Sequence, residues 1–184
     1  VDYYPLNMSQ ISSIKNFESL CNDMKNGKIN NLIILGANPV YDSPVDFDFA
    51  ESLKKVKNSV HLTNIIDETS KLCSWNIAMN HYFECWGDAM TYDGHVSIVQ
   101  PQIMPLFDSK SIIQVLSPIV HSKEQSAYDT VKNVWKSNII KSGNFEREWD
   151  KVLHDGLYKK PIFKKVNVRP CLLYTSPSPR DRIR

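Results

Sequence analysis

Three clusters in this sequence have residue types and spacings that could do chemistry. The first is "LIILGANPVYDSP", residues 32–44, where an aliphatic run enters Gly36, Asn38 and Pro39. Gly36 has no side chain, so the backbone there can approach a phosphate or ribose closely. Pro39 favours an extended Asn38, whose amide offers donors and an acceptor to a base or sugar. The same residues would also make an ordinary strand-to-helix turn. The second cluster, Asp67, Glu68 and Thr69, follows a β-branched run. It reads as a helix cap with a polar first turn, as a strand-end group reaching the crevice of Asn38, or as both. Gly36, Asn38, Pro39, Glu68 and Thr69 are thus the candidate residues of a nucleotide pocket.

The third cluster is "HYFECWGD", with His81, Glu84, Cys85 and Asp88. On a helix these four would share a face and could bind a metal or form an acid–base pair. Gly87 and the aromatic neighbours fit a loop as well, with Phe83 and Trp86 filling core space. Asp46 and Asp48 resemble a metal-binding pair, but carboxylates also belong at a helix start, where they complement exposed N–H groups. Cys21, Cys73 and Cys85 have no CxxC spacing, which speaks against zinc or iron–sulfur ligation and for isolated thiols. The dinucleotide fingerprint, the P-loop and the Gly-x-Ser-x-Gly elbow are all absent. No catalytic residue and no metal ligand is expected.

The elements that must position these clusters alternate. Ile11, Ile14, Phe17, Leu20, Cys21 and Met24 recur at three- and four-residue steps, predicting a helix over residues 8–25 with Ser9 as a candidate cap. "INNLIILG" reads as a buried strand. "VDFDFAESLKKV" reads as a second helix, "NSVHLTNII" as a second strand, and "DETSKLCSW" as a short helix capped by Asp67. Strands separated by helices of this length imply a parallel sheet with right-handed crossovers. The expected fold class is α/β, a Rossmann-like parallel sheet with helices on both faces. Residues 76–109 look irregular apart from the strand-like "HVSIVQ". Helices then return in "SIIQVLSPIV", "SAYDTVKNVWKSNII" and "NFEREWDKVLHDG".

The bulk numbers suit one ordinary soluble domain: 184 residues, 42% hydrophobic and 23% charged. The longest purely aliphatic run, residues 32–35, is far short of the about 20 residues a membrane span needs, so no direct span is expected. The chain begins with Val1 and shows no basic-then-apolar signal segment, so it reads as an internal fragment. Three of its five arginines, Arg180, Arg182 and Arg184, lie in "CLLYTSPSPRDRIR". This tail, residues 171–184, resembles a translated sequencing-library adaptor, and residues 1–170 are taken as the native part. Without Arg180, Asp181, Arg182 and Arg184 the basic residues fall from 22 to 19 and the acidic from 20 to 19, cancelling the net charge of +2. A neutral chain offers no electrostatic footprint for nucleic acid.

Taken in order, Gly36 to Pro39, Glu68-Thr69, Glu84 to Gly87 and Val99-Gln100 resemble the molybdopterin oxidoreductase superfamily of the dimethyl sulfoxide reductase type. "NPVYDSPVDFDFAESLKKV", "DETSKLCSWNI", "HYFECWGDA" and "DGHVSIVQPQIMPLFDSKSIIQVL" more closely resemble the molybdopterin-like subunit of alternative complex III, a bacterial membrane-bound quinol oxidoreductase. That likeness covers most of residues 11–156. It implies a fragment of a larger domain that holds no molybdenum cofactor, the iron–sulfur clusters lying in another part of the subunit. It further implies cytochrome c-type and integral membrane subunits as partners, on the periplasmic side of the bacterial inner membrane. Where active relatives carry an Ala-Asp-Val-Val-Leu-Pro strand, this chain has Leu72 to Ala78 without the proline, and Trp75 is expected to fill space a pterin would occupy. Two other readings stay open: a piece of a catalytic enzyme whose Gly36, Asn38, Pro39, Glu68 and Thr69 line the nucleotide end of molybdopterin guanine dinucleotide, and a simple nucleotide-binding module. A domain cut from a larger body is also expected to expose apolar helix faces such as residues 145–153.

Overall fold

A computed structural model describes residues 3–5, 13–141 and 143–168. Ser9, Ile11 and the tail from Cys171 lie outside the described residues.

Helix α1 (Ile14–Lys25) is capped by Ser13, whose side chain accepts from Asn16 N–H, and it buries Cys21 and Met24. Its chain turns at Gly27, at φ 68°, into strand β1 (Asn31–Leu35). A four-residue helix α2 (Pro39–Asp42) follows, with Pro39 in the first turn, where its missing N–H costs nothing. The long second helix expected over "VDFDFAESLKKV" does not form as one piece. Val45–Phe47 is a 3₁₀ turn, Asp48 takes the left-handed conformation at φ 49°, and only α3 (Phe49–Leu53) is α-helical. Left-handed backbone cannot continue a right-handed helix, so Asp48 breaks the run.

Strand β2 (Asn58–Thr63), α4 (Glu68–Leu72) and β3 (Trp75–Ala78) complete the first layer pair. The three strands are parallel in the order β1-β2-β3, with Ile34 beside His61 and Leu62 beside Ile77. The fold is α/β with a Rossmann-like parallel sheet flanked by helices, as the alternation predicted. Leu32 and Ile34 pack with Cys21, Met24, Phe49, Leu53 and Val56, so α1 and α3 cover the sheet face that also carries Ser59 and His61. On the opposite face Leu62 is buried, while Ile33 and Trp75 are exposed. Trp75 is 69% exposed, so it fills no interior space, contrary to expectation.

A second core lies in the later half. Strands β4 (Gly87–Met90), β5 (Val96–Val99) and β6 (Leu157–Tyr158) form an antiparallel sheet. Val96 and Ile98 on β5 pack against Val131 of α6 (Ala127–Val134), Trp135 and Ile140 around a π-helical turn, and Trp149 and Val152 of α7 (Phe145–Asp155). Trp135 and Trp149 meet edge to face with centroids 5.5 Å apart, the arrangement an aromatic quadrupole favours. The expected exposure of residues 145–153 is therefore wrong at its centre: Trp149 and Val152 are buried because the antiparallel sheet receives them. Helix α5 (Ile112–His121) starts with a complete capping box between Ser111 and Gln114. The two halves are joined at the end of β3, where Lys110 N–H donates to Ala78 O at 2.9 Å and Asn80 N–H to Lys110 O at 3.0 Å.

Candidate functional site

Parallel β-strands leave a crevice beyond their carboxyl ends, and β1 and β2 open the first two predicted clusters into it. Leu35 leads into Gly36, whose φ of 64° turns the chain out of the sheet while its N–H donates to Leu62 O at 2.8 Å. A Cβ at Gly36 would meet Met79 Cε at 3.5 Å, an ordinary contact, so the positive φ and not crowding calls for glycine here. Asn38 then sits at φ −113°, ψ 67°, immediately before α2.

Asn38, Glu68 and Thr69 do meet, with Asn38 bonded to both of the others. The Thr69 hydroxyl donates to Asn38 Oδ1 at 2.7 Å and accepts from Val40 N–H at 3.1 Å. Thr69 N–H also donates to Asn38 Oδ1, at 3.3 Å, and Asn38 Nδ2 donates to Glu68 Oε2 at 2.8 Å. Thr69 is fully buried, and the Asn38 amide holds the Glu68 carboxyl below its usual range. Pro39 contributes through its ring: with Phe17, Ala37, Asp42, Pro44 and Phe47 it lines an apolar cavity of about 280 Å³ beside the loop. Asn38, Glu68 and Thr69 do not line that cavity.

A third residue type, absent from the predicted set, anchors the same loop. His61 on β2 is fully buried, with Nε2 2.9 Å from Ala37 O and Nδ1 3.0 Å from Ser70 Oγ. Ser70 is held in turn by Asp67, whose Oδ1 accepts from Ser70 N–H at 2.8 Å and lies 2.9 Å from Ser70 Oγ. Asp67 is thus the helix cap the sequence predicted. Burial disfavours its charged form, but the Ser70 N–H, the Ser70 hydroxyl and His61 outweigh that and lower its pKa. The available signal for His61 was a lone titratable side chain in an apolar strand, two residues after Ser59 on the same face.

The "HYFECWGD" cluster disperses. Glu84 Oε1 accepts from Leu106 N–H at 2.9 Å and Oε2 from His81 N–H at 2.8 Å, bonds that lower its pKa. Cys85 lies 3.6 Å from the His81 carbonyl, its thiol pushed up by burial, and Asp88 Oδ2 accepts from Trp135 Nε1 at 2.8 Å. His81 Nδ1 accepts from Phe83 N–H at 3.3 Å, so His81, Glu84 and Cys85 stay in one turn held by backbone bonds, while Asp88 serves the second core. Trp86 packs on the second core as expected, but Phe83 is 45% exposed. Asp46 lies in the 3₁₀ turn, and Asp48 precedes α3 without capping it through its side chain.

No protein-family model matches the chain, and no curated protein matches it.

Proposed function

We propose that this chain is a cofactor-free scaffold segment of an oxidoreductase subunit, of the molybdopterin-oxidoreductase-like kind found in alternative complex III. The observation that carries this reading is that Asn38, the group best placed to read a base, spends its oxygen on Thr69 and an amide proton on Glu68. In a nucleotide site the Asn amide and the Glu carboxylate would face the ligand; here Asn38 Oδ1 accepts from Thr69, and Asn38 Nδ2 and Glu68 Oε2 face each other. The neighbouring apolar cavity of about 280 Å³ does not include them and is small for a dinucleotide. Molybdopterin guanine dinucleotide therefore does not fit the residues in this arrangement.

A scaffold still has to contact something. Met104, Leu106 and Phe107 are 83%, 71% and 80% exposed along one short loop, and exposed apolar groups of this kind gain by being covered. This supports a place among the membrane and cytochrome c-type subunits of a periplasm-facing complex. Iron–sulfur clusters would belong to other parts of the same subunit. The test is metal and pterin analysis of the complete gene product. The reading expects neither molybdenum nor pterin in stoichiometric amount, and finding either would overturn it.

The simple nucleotide-binding reading draws on one observation of its own: Glu68 stands exposed at the crevice with its pKa lowered, a carboxylate suited to the N1–H and N2–H of guanine. Thermal shift with guanosine diphosphate separates the two. The scaffold reading expects no shift, whereas a nucleotide module expects a rise that Glu68→Gln abolishes.

A further inference from the structure

We propose that His61 is a proton-operated clamp on the loop between β1 and α2, tightening when its ring gains a second proton. The clamp rests on one chain of contacts: Ala37 O to His61 Nε2 at 2.9 Å, His61 Nδ1 to Ser70 Oγ at 3.0 Å, and Ser70 Oγ to Asp67 Oδ1 at 2.9 Å.

A carbonyl only accepts, so Nε2 carries a proton whenever the Ala37 bond is made. The Ser70 hydroxyl has one proton and two neighbours able to take it, Asp67 Oδ1 and His61 Nδ1. If Nδ1 is bare, the hydroxyl must choose, and one of the two short contacts is left with lone pairs facing each other. If both nitrogens are protonated, Nδ1 donates to Ser70 Oγ, the hydroxyl donates to Asp67, Nε2 donates to Ala37, and all three bonds form at once. The added charge then faces the Asp67 carboxylate, 3.6 Å from Nδ1. The ring is fully buried, so solvent cannot substitute for a missing partner.

On α1 and α3, which cover this sheet face, the buried residues are Cys21, Met24, Phe49, Ser52 and Leu53, and burial pushes the Cys21 thiol up. Neighbouring positions on β1 and β3 are Ile34 and Asn76, both uncharged, and the loop presents only the Ala37 carbonyl. On α4 the charged group facing the ring is Asp67. Glu68 is engaged with Asn38, and burial keeps the Cys73 thiol protonated. The neutral ring, with one proton, keeps either the Ala37 bond or the Ser70–Asp67 relay, and the cation keeps both, so protonation secures the grip on Ala37, one residue before Asn38. Loss of the proton as pH rises weakens it.

The test follows amide-exchange protection of Gly36 and Val40, the bonded amides on either side of Ala37, together with the ¹⁵N shifts of the His61 ring, between about pH 5 and about pH 8, where histidine changes charge. Protection factors, corrected for intrinsic exchange, are expected to fall by about tenfold or more as pH rises, since one buried bond to a charged group is lost. Their midpoint should coincide with that of the ring shifts. His61→Gln, which keeps a donor but cannot titrate, and Ser70→Ala, which cuts the relay, should flatten the dependence. Protection that does not change with pH, or that changes with a midpoint away from the His61 titration, overturns the proposal. The wild-type ring measurement decides the matter even if either variant fails to fold.

Discussion

Thr69 Oγ1 lies 2.7 Å from Asn38 Oδ1, joining side chains 31 residues apart in sequence, and the same hydroxyl accepts from Val40 N–H. One buried threonine thus ties α4 to the loop after β1. Thr69→Val keeps the shape and removes the hydroxyl, leaving the Val40 N–H without its acceptor. The expected loss is about 1–3 kcal/mol, read as a lower urea midpoint at unchanged slope. Glu68→Gln, on the exposed side of the same network, should leave the midpoint nearly unchanged.

The second core has its own critical bond. Trp135 is fully buried and its Nε1 donates to Asp88 Oδ2 at 2.8 Å, across 47 residues. Asp88→Ala leaves that donor unpaired and should cost about 1–3 kcal/mol, whereas Asp88→Asn retains an acceptor and should cost less. Chemical denaturation followed by tryptophan fluorescence reads both.

Glycine substitutions should separate backbone strain from crowding. Gly36→Ala places a Cβ in ordinary contact with a flexible methionine and should cost only the left-handed penalty, about 1–2 kcal/mol. Gly94, at φ 87°, would put its Cβ 2.7 Å from the Phe163 backbone nitrogen, so Gly94→Ala should lose clearly more stability in the same assay.

These comparisons also mark what the sequence could disclose. Helix α1 was legible because Phe17, Cys21 and Met24 repeat at helical spacing over three turns. Strand β3 was not, because a four-residue edge strand is too short to carry a readable alternation. The break at Asp48 was hidden for a related reason: Phe49, Leu53 and Val56 keep a helical rhythm that a single left-handed residue does not disturb. The candidate site was half visible. Its residues could be named from "GANP" and "DET", and the structure brings Asn38, Glu68 and Thr69 together. That Asn38 bonds both of the others depends on contacts across about thirty positions, which exist only once the sheet has set the strand ends side by side. His61 was missed because a lone histidine in a strand has no spacing to argue from.

Acid should weaken the protein at two surface carboxylates. Asp93 is lowered to about 2 by Thr91 and then His95, and Asp155 to about 2 by Lys159 and then His154. Both are depressed in the fold, so their contribution is present above the ordinary aspartate range and is lost as pH falls through about 2. Asp67 is shifted in the same direction. Tm measured against pH should fall on this acid limb. Added salt should reduce the part due to Asp93 and Asp155, which solvent reaches, and Asp155→Asn should remove part of it.

The scaffold reading is tested most directly by elemental and pterin analysis of the complete gene product, purified with its native partners. The prediction is no stoichiometric molybdenum or tungsten and no releasable pterin, with any iron assigned to parts of the subunit outside this chain. About one molybdenum and a pterin nucleotide per subunit, bound at the Asn38–Glu68 crevice, would contradict it.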